Sequence, residues 1–267
     1  CTRSLVGSEM CIRDSAARLL MATRGDGRGV GPERAFLAEL PDAGQVTLDA
    51  DESRHLLRAR RAQPGDTVVL FDGQGQGRFA ELLAGDGRTA TLTIGAPAPS
   101  REPARAVRVA CSLPESGRAD DLVGVLAELG VAELQPLVCA RTDPGRAVMP
   151  ARRAKRWTRL IREAAKVNGC NQFLTIHESL KLPAFIQSTA RGTAVLLDPD
   201  PAAPSLLDLL PADGALPWVL TGPEGGFTPE ELAQCVDAGH VIAQLGSCAL
   251  RSGTAAMSAA AVAVVRA

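Results

Sequence analysis

A stretch of prolines and small residues, Gly95-Ala-Pro-Ala-Pro-Ser-Arg-Glu-Pro103, divides the chain into two parts whose apolar residues repeat with different periods. That composition keeps a backbone extended and semi-rigid, as a connection between domains requires. Before it, Gln45-Val46-Thr47-Leu48 and Thr89 to Ile94 alternate like half-buried strands, and Thr67-Val68-Val69-Leu70-Phe71 is a β-prone run. Pro64-Gly65-Asp66 and Asp72-Gly73 supply turns, and Ser53 to Ala62 predicts a short basic helix. Residues 35–95 are expected to form a small β-barrel-like domain.

From 104 to 267 the pattern changes to strand–helix–strand. Val107–Cys111, Val131–Cys139, Ala194–Leu197, Trp218–Leu220 and Val241–Leu245 read as strands. Between them Ala119, Leu122, Val123, Leu126 and Leu129 share one helical face, which Gly130 closes. Pro150 to Val167 is amphipathic, with Trp157, Leu160, Ile161, Ala164 and Ala165 opposite a spread of arginines. This alternation predicts a mainly parallel α/β sheet covered on both faces, with ligands at the carboxyl ends of its strands.

Composition narrows the functional classes. No apolar run approaches the ~18 residues of a membrane span, so neither a membrane partner nor a membrane location is expected. The formal net charge is −1, yet basic residues gather at 54–61 and 152–166, and a local basic face binds phosphate whatever the total. The seven cysteines, at 1, 11, 111, 139, 170, 235 and 248, show no metal-ligand spacing. A reducing cytoplasm and no metal are therefore expected. Residues 1–34 read as a non-native or disordered extension: Cys1 to Ser15 looks like translated sequencing-adapter read-through, with Met21 as a candidate start.

Two loops at predicted strand ends carry unusual chemistry. Thr221-Gly-Pro-Glu-Gly-Gly-Phe227 puts three glycines and a proline where backbone can approach a ligand closely. It runs into Thr228-Pro229-Glu230-Glu231, which reads as a capping box with proline at the first helical position. Leu245 to Thr254 joins the last strand to an Ala-rich helix and places Arg251 among small residues. Elsewhere, Gly73-Gln74-Gly75-Gln76-Gly77 fits no nucleotide-loop pattern and reads as a turn. Asp198, Asp200, Asp208 and Asp213 lie in a Pro-rich loop without metal-ligand spacing.

The run Leu220 to Leu232, then Leu245-Gly246 and Leu250-Arg251 before the terminal helix, resembles the bacterial 16S rRNA (uracil-N3) methyltransferase family of the SPOUT superfamily. Phe36-Leu37, His55-Leu56-Leu57-Arg58, Pro64-Gly65-Asp66, Glu128-Leu129-Gly130-Val131 and Arg156-Trp157 are similar to further landmarks of that family, in the same order. The resemblance implies a trefoil-knotted parallel sheet preceded by a PUA-like β-barrel domain, a homodimer, 16S rRNA of the small ribosomal subunit as partner, and S-adenosylmethionine as cofactor. It places the cofactor on Leu197, Thr221, Gly222, Pro223, Glu224, Gly225, Gly226, Leu245, Gly246, Leu250 and Thr254, and the chemistry on Arg251 and Glu224. With the basic clusters it points to RNA contacts at His55, Arg58, Arg61, Arg118, Arg141, Arg152, Arg153 and Arg156. The chain departs from the family pattern at Val125, Ala140, Cys170, Cys248 and Gly253, where the family carries polar or charged side chains. A noncatalytic RNA-binding paralogue, or a methyltransferase acting on another RNA position, are the competing readings.

Overall fold

The computed structural model describes residues 32–143, 151–189 and 193–267, without the side chains of Ser116, Ala151 and Arg152. The expected extension at the start of the chain lies almost wholly outside these residues. The chain forms two compact units, one reaching Leu70 and taking up again over Gly77–Ala98, the other made of Phe71–Gln76 and Pro99–Ala267.

The first unit is a five-stranded sheet in the order β1 (Glu33–Phe36), β3 (Thr67–Phe71), β4 (Gly77–Gly85), β5 (Ala90–Pro97), β2 (Gly44–Thr47). β5 pairs antiparallel with both β2 and β4, and two register shifts bend β4. Leu48, Leu56, Val68, Leu70, Leu82 and Leu92 fill its core. The basic helix starts earlier than its sequence suggests. Asp49 Oδ1 accepts the N–H groups of Asp51 and Glu52 and so opens helix α1 at Ala50, running to Arg54. A π-turn over His55–Ala59 follows, in which Arg60 N–H donates to the His55 carbonyl.

Two features of β4 and its preceding turn escaped the sequence pattern. β4 itself was not marked by clean alternation. The turn Asp72–Gln76 belongs to the second unit, where Phe173 N–H donates to the Gly73 carbonyl and Gly75 N–H to Asn171. Gly73 has φ +75°, and a Cβ there would come within 2.4 Å of the Phe173 ring, so only glycine fits.

The second unit is the predicted α/β sheet. Its main strands are β6 (Arg108–Cys111), β7 (Glu133–Val138), β10 (Ala194–Leu197), β11 (Trp218–Thr221) and β12 (Val241–Ala243), with short β8 (Thr175–Ile176) and β9 (Leu180–Lys181) beside β7. The order is β12-β10-β11-β6-β7-β8 and every pairing is parallel. Alternate residues face opposite layers, as the two-residue strand period demands. Val109, Cys111, Val195, Leu197 and Val219 pack with α2 (Ser116–Glu128), α3 (Ala151–Asn168) and the terminal helix, which runs Ser252–Arg266. Ala110, Ala194, Leu196 and Leu220 pack with helices Leu182–Ser188 and Pro229–Asp237 on the other side. Among the described residues no helix is long and apolar enough to cross a membrane.

Candidate functional site

Because the main strands are parallel, their carboxyl ends share one edge of the sheet. β11 lies between β10 and β6, so the loop leaving it at Gly222 stands in the middle of that edge. The loop separates two cavities. The larger, about 320 Å³, is lined by Leu197, Asp198 and Pro199 beyond β10, by Thr221 to Phe227, and by Leu245, Gly246, Cys248, Ala249, Leu250, Ser252 and Ala255 beyond β12. The smaller, about 180 Å³, is lined by Ser112 and Leu113 beyond β6 and by Arg141, Thr142 and Asp143 beyond β7. Pro223, Glu224, Gly225 and Ser252 line both.

The dividing loop is held from three sides. Gly226 takes φ +70° and donates its N–H to the Pro223 carbonyl at 2.9 Å, closing a tight turn. A Cβ at Gly222 would lie 3.1 Å from two Phe227 ring carbons and 3.3 Å from its backbone nitrogen, so the Phe227 ring occupies the space a side chain would need. Arg141 Nη1 donates to the carbonyls of Gly225 (2.7 Å) and Phe227 (3.1 Å). The capping box is present as read. Glu231 N–H donates to Thr228 Oγ1, and Glu231 Oε2 accepts the Thr228 N–H. Its other oxygen accepts the Ala140 N–H at 2.7 Å, so one buried carboxylate ties the exit of β7 to the helix that the loop feeds.

Electrostatically the larger cavity suits a cationic or neutral ligand that reads backbone. Among the described residues its lining holds the carboxylates Asp198 and Glu224 and no lysine or arginine, though Arg118 stands 3.8 Å from Glu224. Thr221 is 2% exposed, and its Oγ1 has no hydrogen-bond partner among the described residues. An orphaned buried hydroxyl costs about 1–3 kcal/mol, which a ligand contact would recover. The thiols nearby differ in chemistry. Burial pushes Cys111 and Cys139 up to about 12 and Cys235 to about 11, with the Glu231 carboxylate adding to the shift at the last two. Cys248, by contrast, is exposed on the cavity wall.

Ten of the residues assigned to the cofactor, from Leu197 to Leu250, line the larger cavity. Thr254 does not; it is exposed, and Ser252 and Ala255 stand at the wall instead. Glu224 lines both cavities, whereas Arg251 is exposed at the N-cap of the terminal helix and lines neither. Of the basic residues assigned to RNA, Arg141 is committed in part to clasping the loop and Arg118 is close to Glu224. Arg153 lies 5.8 Å over the Trp157 ring, and Arg156 pairs with Asp120 at 2.8 Å. The side chain of Arg152 lies outside the described residues. His55, Arg58 and Arg61 belong to the first unit, where Arg61 is the only non-glycine residue with positive φ (58°) among the described residues. Ser112, Thr142 and Asp198, and with them Leu113, Asp143 and Pro199, line the cavities outside the two loops that the motifs marked. The strand-end rule, applied to every parallel strand and not only to the last two loops, reaches the first three.

Comparison with known proteins agrees with this geometry. An RNA methyltransferase domain family matches residues 100–264, and an RNA methyltransferase PUA domain family matches residues 48–95. Ribosomal RNA small subunit methyltransferase E proteins of Mycobacterium bovis and Mycobacterium tuberculosis are each 33% identical over 238 residues, covering 83% of this chain and 87% of theirs. A crystal structure of a ribosomal RNA small subunit methyltransferase E from Neisseria gonorrhoeae, bound to S-adenosyl methionine, superposes with a TM-score of 0.76 at 26% identity, covering 86% of this chain and 95% of that one. The sheet, the two-unit organisation and the sequence agree, and the chain belongs to the RNA methyltransferase family that contains the ribosomal RNA small subunit methyltransferase E proteins.

Proposed function

We propose that this enzyme transfers a methyl group from S-adenosylmethionine to N3 of a uridine in 16S rRNA of the small ribosomal subunit. The observation that carries the reading is a pair of cavities that adjoin at Pro223, Glu224, Gly225 and Ser252, where a methyl donor in one and an acceptor base in the other would meet. The larger cavity fits the cofactor: its lining presents backbone rather than long side chains, lacks cations that would repel a sulfonium, and offers the unpartnered Thr221 hydroxyl. When bound, S-adenosylmethionine supplies a methyl group on a positively charged sulfur, which leaves as a neutral thioether.

Uracil N3 carries a proton that must depart as the nitrogen's electron pair forms the new N–C bond. Glu224, facing both cavities, is placed to orient the base edge or accept that proton. Arg251, which lines neither cavity but precedes Ser252 on the shared wall, is the cation that would turn in to stabilise the developing imidate charge. Basic residues of both units hold the RNA backbone. The trefoil knot, the homodimer and a cytoplasmic setting belong to the same proposal.

Small subunits from a bacterial strain whose 16S rRNA lacks 3-methyluridine should gain that nucleoside on incubation with the protein and S-adenosylmethionine, read by nucleoside mass spectrometry. A methylated nucleoside other than 3-methyluridine would reassign the position. Absence of any methylation, with RNA still bound, would favour a noncatalytic role. Arg251→Ala is expected to lower the single-turnover rate about 100-fold while leaving cofactor affinity unchanged. A wild-type rate removes Arg251 from the mechanism. Cys248 should alkylate with iodoacetamide in the native protein and be slowed by saturating S-adenosylhomocysteine, whereas Cys111, Cys139 and Cys235 stay unlabelled. Peptide mapping gives the readout, and equal Cys248 labelling with and without ligand would move the cofactor elsewhere.

A further inference from the structure

The smaller cavity contains a hydrogen-bond donor that no acceptor among the described residues takes up. Ser112, 3% exposed at the end of β6, places its Oγ 2.8 Å from Thr142 Oγ1 beyond β7. Thr142 Oγ1 also accepts the Cys139 N–H at 2.9 Å. Two hydroxyl groups carry two hydrogens, and the contact between them consumes one. Whichever residue donates within the pair, the other keeps a hydrogen with no acceptor among the described residues, and both residues line the cavity. At about 180 Å³ the cavity is below the usual range of drug-sized sites, so it suits one small planar group. A free hydroxyl donor at its wall suits a carbonyl oxygen.

Resting on the methyltransferase reading above, we propose that the Ser112–Thr142 pair is the positioning contact for the target uracil, donating to a ring carbonyl beside N3. Uracil has a carbonyl on each side of N3, so a donor fixed to either one sets the direction of the N3 lone pair. The cavity's other wall is the loop at Pro223–Gly225, whose far side faces the larger cavity. Pro223, Glu224 and Gly225 line the same small cavity as the hydroxyl pair, so a base anchored at Ser112 and Thr142 lies within reach of that loop. Either hydroxyl can supply the hydrogen alone, which gives the pair a distinctive mutational signature.

The test is single-turnover methylation of small subunits lacking 3-methyluridine, alongside calorimetric titration with S-adenosylmethionine and a thermal melt. Ser112→Ala and Thr142→Val alone should each slow methylation only a few-fold, because the remaining hydroxyl still donates. The double variant should slow it about 10- to 100-fold, more than the product of the single effects, with cofactor affinity within about two-fold of wild type. Ser112→Ala/Thr142→Ser, which restores one hydroxyl and the bond to Cys139, should recover most of the rate. Ser112→Val, which fills the cavity without disturbing that bond, should also lose at least about tenfold and covers the case of an unstable double variant. Wild-type rates from Ser112→Val, or a double variant whose loss equals the product of the singles, overturn the positioning role. A wild-type protein that makes no 3-methyluridine overturns the methyltransferase reading instead.

Discussion

Gly222→Val is expected to abolish measurable binding of S-adenosylmethionine, with a loss on the order of 100-fold or more by calorimetry. The first added carbon would stand 3.1 Å from the Phe227 ring and 3.3 Å from the Phe227 nitrogen. Phe227 is 6% exposed and packed in the core layer with Leu220 and Cys235, so it can yield only toward the larger cavity that it lines. The strain falls on the loop, which must move into the larger cavity it borders. Gly225→Val is a useful comparison, because there the added carbon meets only the Arg141 side chain, at 3.3 Å. Arg141 can swing aside at the cost of its two bonds to the loop, so a smaller loss is expected. Equal, wild-type affinities for both variants would show that the loop does not form the cofactor site.

Trp157→Ala should have the largest effect on stability, about 3–5 kcal/mol, with the melting temperature of the second unit falling by on the order of 10 °C. The indole is 1% exposed between helices α2 and α3, and its Nε1 donates to Asp120 Oδ1 at 2.7 Å. Removing it opens a cavity and withdraws a hydrogen bond from a carboxylate that then keeps only Arg156 of these two partners. Trp157→Phe should restore most of the packing but not the hydrogen bond, recovering more than half of the loss. Urea unfolding followed by circular dichroism reads both variants. A loss under about 1 kcal/mol for the alanine variant would mean the two helices are held by something other than this side chain.

The α/β architecture was legible because its signals are local and periodic. Ala119, Leu122, Val123 and Leu126 are all fully buried, and strands β10 and β11 begin and end within a residue of their apolar runs. The capping box at Thr228 and Glu231 was equally plain, since its partners are three residues apart. What escaped depends on distant partners. Nothing near Gly73 announces Phe173, and nothing in the Glu231 cap announces its bond to Ala140. At the site, the glycine loop advertised itself by composition. Ser112 and Thr142 are common residues whose chemistry appears only when parallel strands bring them within 2.8 Å. Composition therefore marks the glycine loop, whereas the hydroxyl pair emerges only from the fold.

A single short loop that lines two adjoining cavities has a thermodynamic consequence. Pro223, Glu224 and Gly225 cannot shift on one side without shifting on the other. If filling the larger cavity changes affinity in the smaller by some factor, filling the smaller changes affinity in the larger by the same factor. No separate relay is required for the two ligands to sense each other. On the proposed assignment, spent cofactor and methylated base would press on the same few backbone atoms, and the departure of one would alter the hold on the other.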